Sequence, residues 1–174
     1  MLPMLTTKRL NLRPAVMDDA EALWRLWTHQ DVRRFLFDDE TLTYEKTQEQ
    51  VEVWAGHHAN GMGLWMLERK DNGGLIGEIG IEPSTMGDVD PGMKGEIEFQ
   101  IAIAPDAWGK SYAGEALQAV LDHAFNTVGL SHIMGVADVP NTRSRRLQES
   151  LGFVLQREVP SSPLPLAIYK REAG

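Results

Sequence analysis

The spacing of apolar residues changes period along the chain, and each change predicts an element. Lys8 to Arg13 alternates polar residues with Leu10 and Leu12, the two-residue period of a half-buried strand. Asp18 and Asp19 precede Ala20, Leu23, Trp24 and Trp27. Carboxylates followed by apolar residues three and four apart predict a helix start, because negative charge suits the N-terminal end of a helix dipole. Asp31 to Leu36 reads as a short second helix, and Tyr44 to Ala59 continues helically with Val51, Trp54 and Ala55 on one face. Leu64 to Arg69 and Leu75 to Ile81 read as strands joined at an Asn72-Gly73 hairpin turn, and Glu96 to Ala104 as a further strand ended by Pro105. The strongest helical signal follows: Ala113, Ala116, Leu117, Val120, Leu121, Ala124 and Phe125 form a continuous apolar stripe. His132 to Ala137 reads as a strand, and Thr142 to Leu151 as a helix stopped by Gly152. Phe153 to Glu158 and Leu166 to Lys170 are the closing strands.

The predicted order is β-α-α-β-β-β-α-β-α-β-β. Such an order gives an α/β (α+β) fold with a mixed, mostly antiparallel central sheet and helices on both faces. Pro83 to Gly95 and Pro160 to Pro165 carry the proline, glycine and serine of loops. No internal repeat or linker divides the chain, so residues 1–174 form one domain. Hydrophobic residues make up 43% and charged residues 24%, an ordinary globular balance. No apolar run approaches the ~20 residues of a membrane span, and the N-terminus lacks a secretory signal, so a cytoplasmic location is the default reading. The absence of cysteine excludes disulfides, cysteine-zinc sites and thiol nucleophiles. A net charge of −8 argues against nucleic-acid or anionic-membrane partners. Against that acidic background Lys110, Arg143, Arg145 and Arg146 form a basic group, either a solvated helix face or an anion site.

The chemistry concentrates where the Glu96–Ala104 strand meets the apolar helix. Trp108-Gly109-Lys110-Ser111-Tyr112-Ala113 is a small-residue turn at a helix start, where backbone N–H groups have no intrahelical partner and the dipole adds positive potential. Gly109 lets the backbone approach a phosphate, Ser111 can cap the helix or bond a phosphate, and Lys110 adds charge. A plain capped helix fits the same residues. The turn is not a Walker loop or a dinucleotide fingerprint, because the required glycines are missing. Asn141 is a natural N-cap for the next helix, with Ser144 three residues on. His29, His57, His58, His123 and His132 form no metal pattern and read as surface residues, and no metal is expected. Trp24, Trp27, Trp54 and Trp65 read as core, with an acceptor pocket as the other reading.

Taken together, three segments resemble the GNAT superfamily of N-acetyltransferases, and most closely its ribosomal-protein branch. Leu5 to Arg13 resembles that branch's opening strand. Glu98 to Ala116 resembles its acetyl-CoA motif, with a strand, a proline, a Trp-Gly-Lys turn and Tyr-Ala-x-Glu-Ala. Asn141 to Phe153 resembles its second motif, with an Asn, a Ser three later and a closing Gly-Phe. The resemblance implies an acetyl-CoA-dependent transfer of an acetyl group to a primary amine. It implies that Ile101, Ala102 and Ile103 splay from the neighbouring strand to meet the pantetheine arm. It places the pyrophosphate on the backbone of Gly109, Lys110, Ser111, Tyr112 and Ala113 beside Trp108, and puts Asn141 across the pantetheine.

By the same resemblance Glu98 is the candidate base, with Glu96 its competitor, and Ser144 the candidate to assist the departing thiolate. Three positions depart from the pattern: Asp106 for Arg or Gln, Ser111 for Gly or Ala, and Gln148 where many members carry an acidic Tyr. Those departures support a second reading, a non-catalytic acyl-CoA-binding or regulatory module. The acceptor is left open among a protein N-terminus, a polyamine, an amino acid and an aminoglycoside. A homodimer is a common assembly for such folds.

Overall fold

The computed structural model describes residues 1–174. Eight strands form one sheet in the spatial order β1-β2-β3-β4-β5-β6-β8-β7. They are β1 (Leu5–Thr6), β2 (Leu10–Pro14), β3 (Gly63–Arg69), β4 (Leu75–Pro83), β5 (Ile97–Ile103), β6 (His132–Asp138), β7 (Val154–Val159) and β8 (Leu166–Glu172). Every neighbouring pair is antiparallel except β5 and β6. The helices are α1 (Ala20–Thr28), α2 (Gln30–Arg33), α3 (Tyr44–Gly56), α4 (Tyr112–His123) and α5 (Thr142–Ser150). No helix is long and apolar enough to cross a membrane.

Strand alternation sorts the core into two layers. In β3, Trp65 and Leu67 join Leu10, Leu12, Ile79, Ile81, Leu117, Val120 and Leu121 beneath α4. Leu64 and Met66 join Leu23, Trp27, Val51 and Trp54 beneath α1 and α3. A strand buried on both faces reads as a continuous apolar run, as β3 does. The four tryptophans at positions 24, 27, 54 and 65 are core or half-buried, and none lines the main cleft.

Several expectations need correction. The sheet gains a two-residue first strand, and Tyr44–Gly56 is a helix of its own, capped by Thr43 Oγ1 accepting from the Lys46 N–H at 3.2 Å. The β3–β4 hairpin closes over a longer loop than Asn72-Gly73: the Arg69 N–H bonds the Gly74 carbonyl, and a bulge at Leu67/Glu68 shifts the register. The apolar stripe of α4 passes at Ala124 into one π turn ending at Val128. The histidines are not all on the surface. His123 is buried with Nε2 2.8 Å from the Gly61 carbonyl, and His58 is half-buried with an unpartnered Nε2.

Candidate active site

The one parallel pairing in the sheet makes the site. β5 and β6 share a single rung, Glu98 opposite Met134, and part beyond it. At the closed end Glu96 bonds His132 at 2.5 Å, tying the two strands together. Along its other edge β5 is paired with β4 through its whole length, so only the β6 side opens. The wedge becomes a cleft of about 920 Å³ that runs past the N-terminal ends of both α4 and α5. Its walls include Glu98, Ile101, Ala102, Ile103, Trp108, Gly109, Ser111, Tyr112, Ala113, Asn141 and Ser144.

The turn before α4 is shaped for an anion. Gly109 and Ser111 both adopt positive φ, 74° and 61°. No acceptor within the protein takes the backbone N–H groups of residues 109–114, the unpaired start of a twelve-residue helix. Arg9 braces the turn from behind: its Nη1 donates to the Lys110 carbonyl at 2.9 Å, its Nε pairs with Glu115 at 2.6 Å, and its guanidinium lies 4.5 Å from the Tyr112 ring centre. Ser111 occupies the N-cap position, but in the left-handed conformation its hydroxyl makes no capping bond. Capping by that side chain is therefore corrected: its value to the site is its backbone. A left-handed non-glycine residue costs about 1–2 kcal/mol, so Ser111→Gly is expected to raise stability by about 1 kcal/mol after the extra chain entropy of glycine. Thermal melting with and without coenzyme A checks this, with binding expected to be retained.

Asn141 serves two ends. Its Oδ1 accepts from the Ser144 N–H at 3.2 Å and caps α5, and the residue also lines the cleft. Ser144 Oγ accepts from Gln148 Nε2 at 3.3 Å. Gln148 is fully buried against Gly135, where a Cβ would overlap its Oε1. The basic group divides. Arg143 and Arg146 line the cleft, and Arg143 lies 3.9 Å over the Trp108 ring, across the groove. Trp108 is itself fixed by Nε1 donating to the Ile103 carbonyl at 2.7 Å. Arg145 turns away to Tyr169 and Val139. Lys110 is not in the cleft wall; its Nζ donates to the Asp106 carbonyl at 2.9 Å. Asp106 is exposed and does not line the cleft.

The far end of the cleft is acidic, a feature absent from the sequence reading. Register sets Glu82 on β4 opposite Glu98 on β5. Burial pushes Glu82 up to about 7, reinforced by the charge of Glu98. Burial also raises Glu98, and the nearby Ser84 hydroxyl and Thr85 N–H offset part of the rise. Asp31 and Asp38 also line the cleft, and Phe35, Val53 and Met86 supply apolar surface. Burial and the charge of Asp38 raise Asp138 at the end of β6. Deeper in the sheet Glu78 is completely buried, and desolvation pushes it up to about 7.

A split between two parallel strands, with unpaired amides at the end of one and a capping Asn at the end of the other, is a cradle for a long phosphorylated arm. Residues 9–154 match the acetyltransferase (GNAT) domain. The chain belongs to the GNAT acetyltransferase family. A GNAT acetyltransferase uses acetyl-CoA as acyl donor, and the cleft supplies the groups to hold it. The N-acetyltransferase YoaA of Bacillus subtilis is 30% identical over 88% of this chain and 84% of its own. A spermidine N(1)-acetyltransferase of Vibrio cholerae is 28% identical over 84% and 79%. Among solved structures, a GnaT-family acetyltransferase of Bordetella pertussis superposes with a TM-score of 0.85 at 25% identity, covering 97% of this chain and 99% of that one. A ribosomal L7/L12 alpha-N-protein acetyltransferase bound to coenzyme A shares the fold at 16% identity, with a TM-score of 0.79 over 98% of both chains.

Proposed function

We propose that this GNAT enzyme acetylates the primary amine of a cationic acceptor, with Glu98 removing the amine's proton directly or through one water. The observation that carries the reading is the place of Glu98: it stands at the apex of the β5–β6 split, in the cleft wall, whereas Glu96 is held by His132 outside it. A base that must work near neutral pH benefits from a raised pKa, and burial supplies one. Glu82 adds negative field beside Glu98, and Asp31 and Asp38 add more along the cleft wall, which favours an ammonium ion over a neutral acceptor. Bound acetyl-CoA supplies an activated thioester. Around it the residues of β5 offer free backbone groups, the 109–114 amides hold negative charge, and Asn141 lines the opposite side. Ser144, its oxygen already accepting from Gln148, keeps its hydroxyl proton for the sulfur.

Two of the four acceptor classes have support of their own. The ribosomal-protein branch, toward which the Leu5–Arg13 strand points, acts on protein N-termini. The acidic far end of the cleft favours a small polycationic amine, and a spermidine acetyltransferase stands among the relatives. Release of free thiol from acetyl-CoA separates them, assayed with spermidine, a seryl N-terminal peptide, an amino acid and an aminoglycoside. Highest kcat/KM is expected with spermidine, falling as salt screens the carboxylates. Coenzyme A binding without thiol release across the whole set would instead support a non-catalytic module.

A further inference from the structure

Gln100 and Glu78 stand beside the proposed base and have no part in the chemistry described so far. Gln100 follows Glu98 by two residues on β5, so both side chains leave the same face, roughly 7 Å apart along the strand. Both line the cleft. Opposite Gln100 the β4 rung is Gly80, which has no side chain because Trp54 covers it: a Cβ there would lie 2.6 Å from the Trp54 ring. Gln100 therefore has no lateral neighbour on its own rung. Its Nε2 donates to Glu78 Oε1 at 3.0 Å, and no protein donor reaches its Oε1. The same Glu78 oxygen accepts from Trp27 Nε1 at 3.3 Å, while Glu78 Oε2 has no partner.

A fully buried carboxyl with one oxygen unpartnered is costly for the fold. An apolar side chain of similar volume would satisfy the site at lower desolvation cost. The carboxyl does accomplish one thing: its Oε1, an acceptor in the neutral acid as in the carboxylate, holds the NH2 end of the Gln100 amide. A planar amide held by its nitrogen must present the carbonyl oxygen on the other side, toward the cleft.

We infer that Gln100 determines acceptor specificity by accepting an N–H of the substrate amine through its side-chain carbonyl, and that Glu78 is the positioning residue that aims it. An amine nitrogen between Gln100 and Glu98 then meets an orienting acceptor on one side and its base on the other. The inference rests on the acetyl-transfer reading given above and adds to it the orienting group for the amine.

Steady-state kinetics of Gln100→Met, Glu78→Met, the double variant and Glu78→Gln test it, with spermidine and a seryl peptide as acceptors and thermal melting to confirm folding. Each Met variant is expected to raise the amine KM about tenfold, the loss of one hydrogen bond to a charged group. KM for acetyl-CoA is expected to stay within about twofold, since its contacts lie elsewhere. The double variant is expected to be no worse than either single one, because the two residues act as a unit. Glu78→Gln, whose carbonyl can still accept from Gln100, restores most of the loss. An unchanged amine KM in Gln100→Met overturns the inference alone, as do effects that multiply in the double variant or a loss in Glu78→Met that is accounted for entirely by a smaller folded fraction. A wild-type enzyme that releases no thiol with any amine overturns both the transfer reading and this one.

Discussion

Glu98→Gln is expected to lower kcat for amine acetylation by about 10²- to 10⁴-fold, the usual worth of a positioned general base. Affinity for coenzyme A should hold, because the groups facing it are backbone amides of residues 109–114 and the Asn141 amide, none of which contacts Glu98 in the structure. The pH profile carries the sign. A base acts only when deprotonated, so kcat/KM rises with pH as Glu98 ionises. Burial raises that ionisation, and Glu82, itself pushed up to about 7, couples to it. The lower limb of the wild-type profile therefore belongs to the pair rather than to one residue. Glu82→Gln removes the like charge and should shift that limb to lower pH. In Glu98→Gln the limb should vanish, leaving only the ionisation of the amine itself at higher pH. A wild-type profile with no limb in the neutral range, together with full activity in Glu98→Gln, would remove Glu98 from the chemistry.

Stability should fall as pH rises from about 4.5 to about 7, and Glu78 should account for about 3 kcal/mol of that fall, the equivalent of its shift from 4.5 to about 7. Burial favours the neutral acid in the folded state, whereas the unfolded chain loses this proton near the ordinary value. Between those pH values the folded state binds more protons than the unfolded one, and stability declines with pH. Above about 7 both states are ionised and the penalty is full; below about 4.5 both are protonated and it is gone. Glu78→Gln cannot ionise, so it should gain on wild type by about 3 kcal/mol between pH 4.5 and 8. Urea titrations at a series of pH values measure this directly. A difference that stays constant across the series would mean that Glu78 is not held neutral by burial.

The donor half of the site was legible because its signals are local. A proline ending a strand, a glycine turn ahead of an apolar helix and an Asn ahead of the next helix are each contained in a few residues, and the structure brings the glycine turn and the Asn to one groove. The acceptor half was not, because it is assembled by register and by distant loops. Glu82 faces Glu98 only because the connection from Ser84 to Glu96 sets the β4–β5 pairing, with Asp90 in that loop tied to Arg157 on β7. Asp31 and Asp38 reach the cleft from α2 and a turn in which three consecutive non-glycine residues, Phe37, Asp38 and Asp39, take positive φ. Nothing in composition marks such a turn. The left-handed Ser111 escaped for a related reason: serine before a helix ordinarily signals a side-chain cap, and tertiary bracing by Arg9 against the Lys110 carbonyl accompanies a different backbone here. The Glu78–Gln100 contact joins adjacent strands, so no periodicity within either one foretells it.

The parting of β5 and β6 has a consequence for traffic. The walls of the opening come from α4 and α5 on one side of the sheet and from α2 and α3 on the other. It is thus a passage through the sheet rather than a dent in one surface. On the acetyl-transfer reading proposed above, coenzyme and amine are expected to approach from opposite faces and meet in the middle, so that neither has to leave before the other arrives.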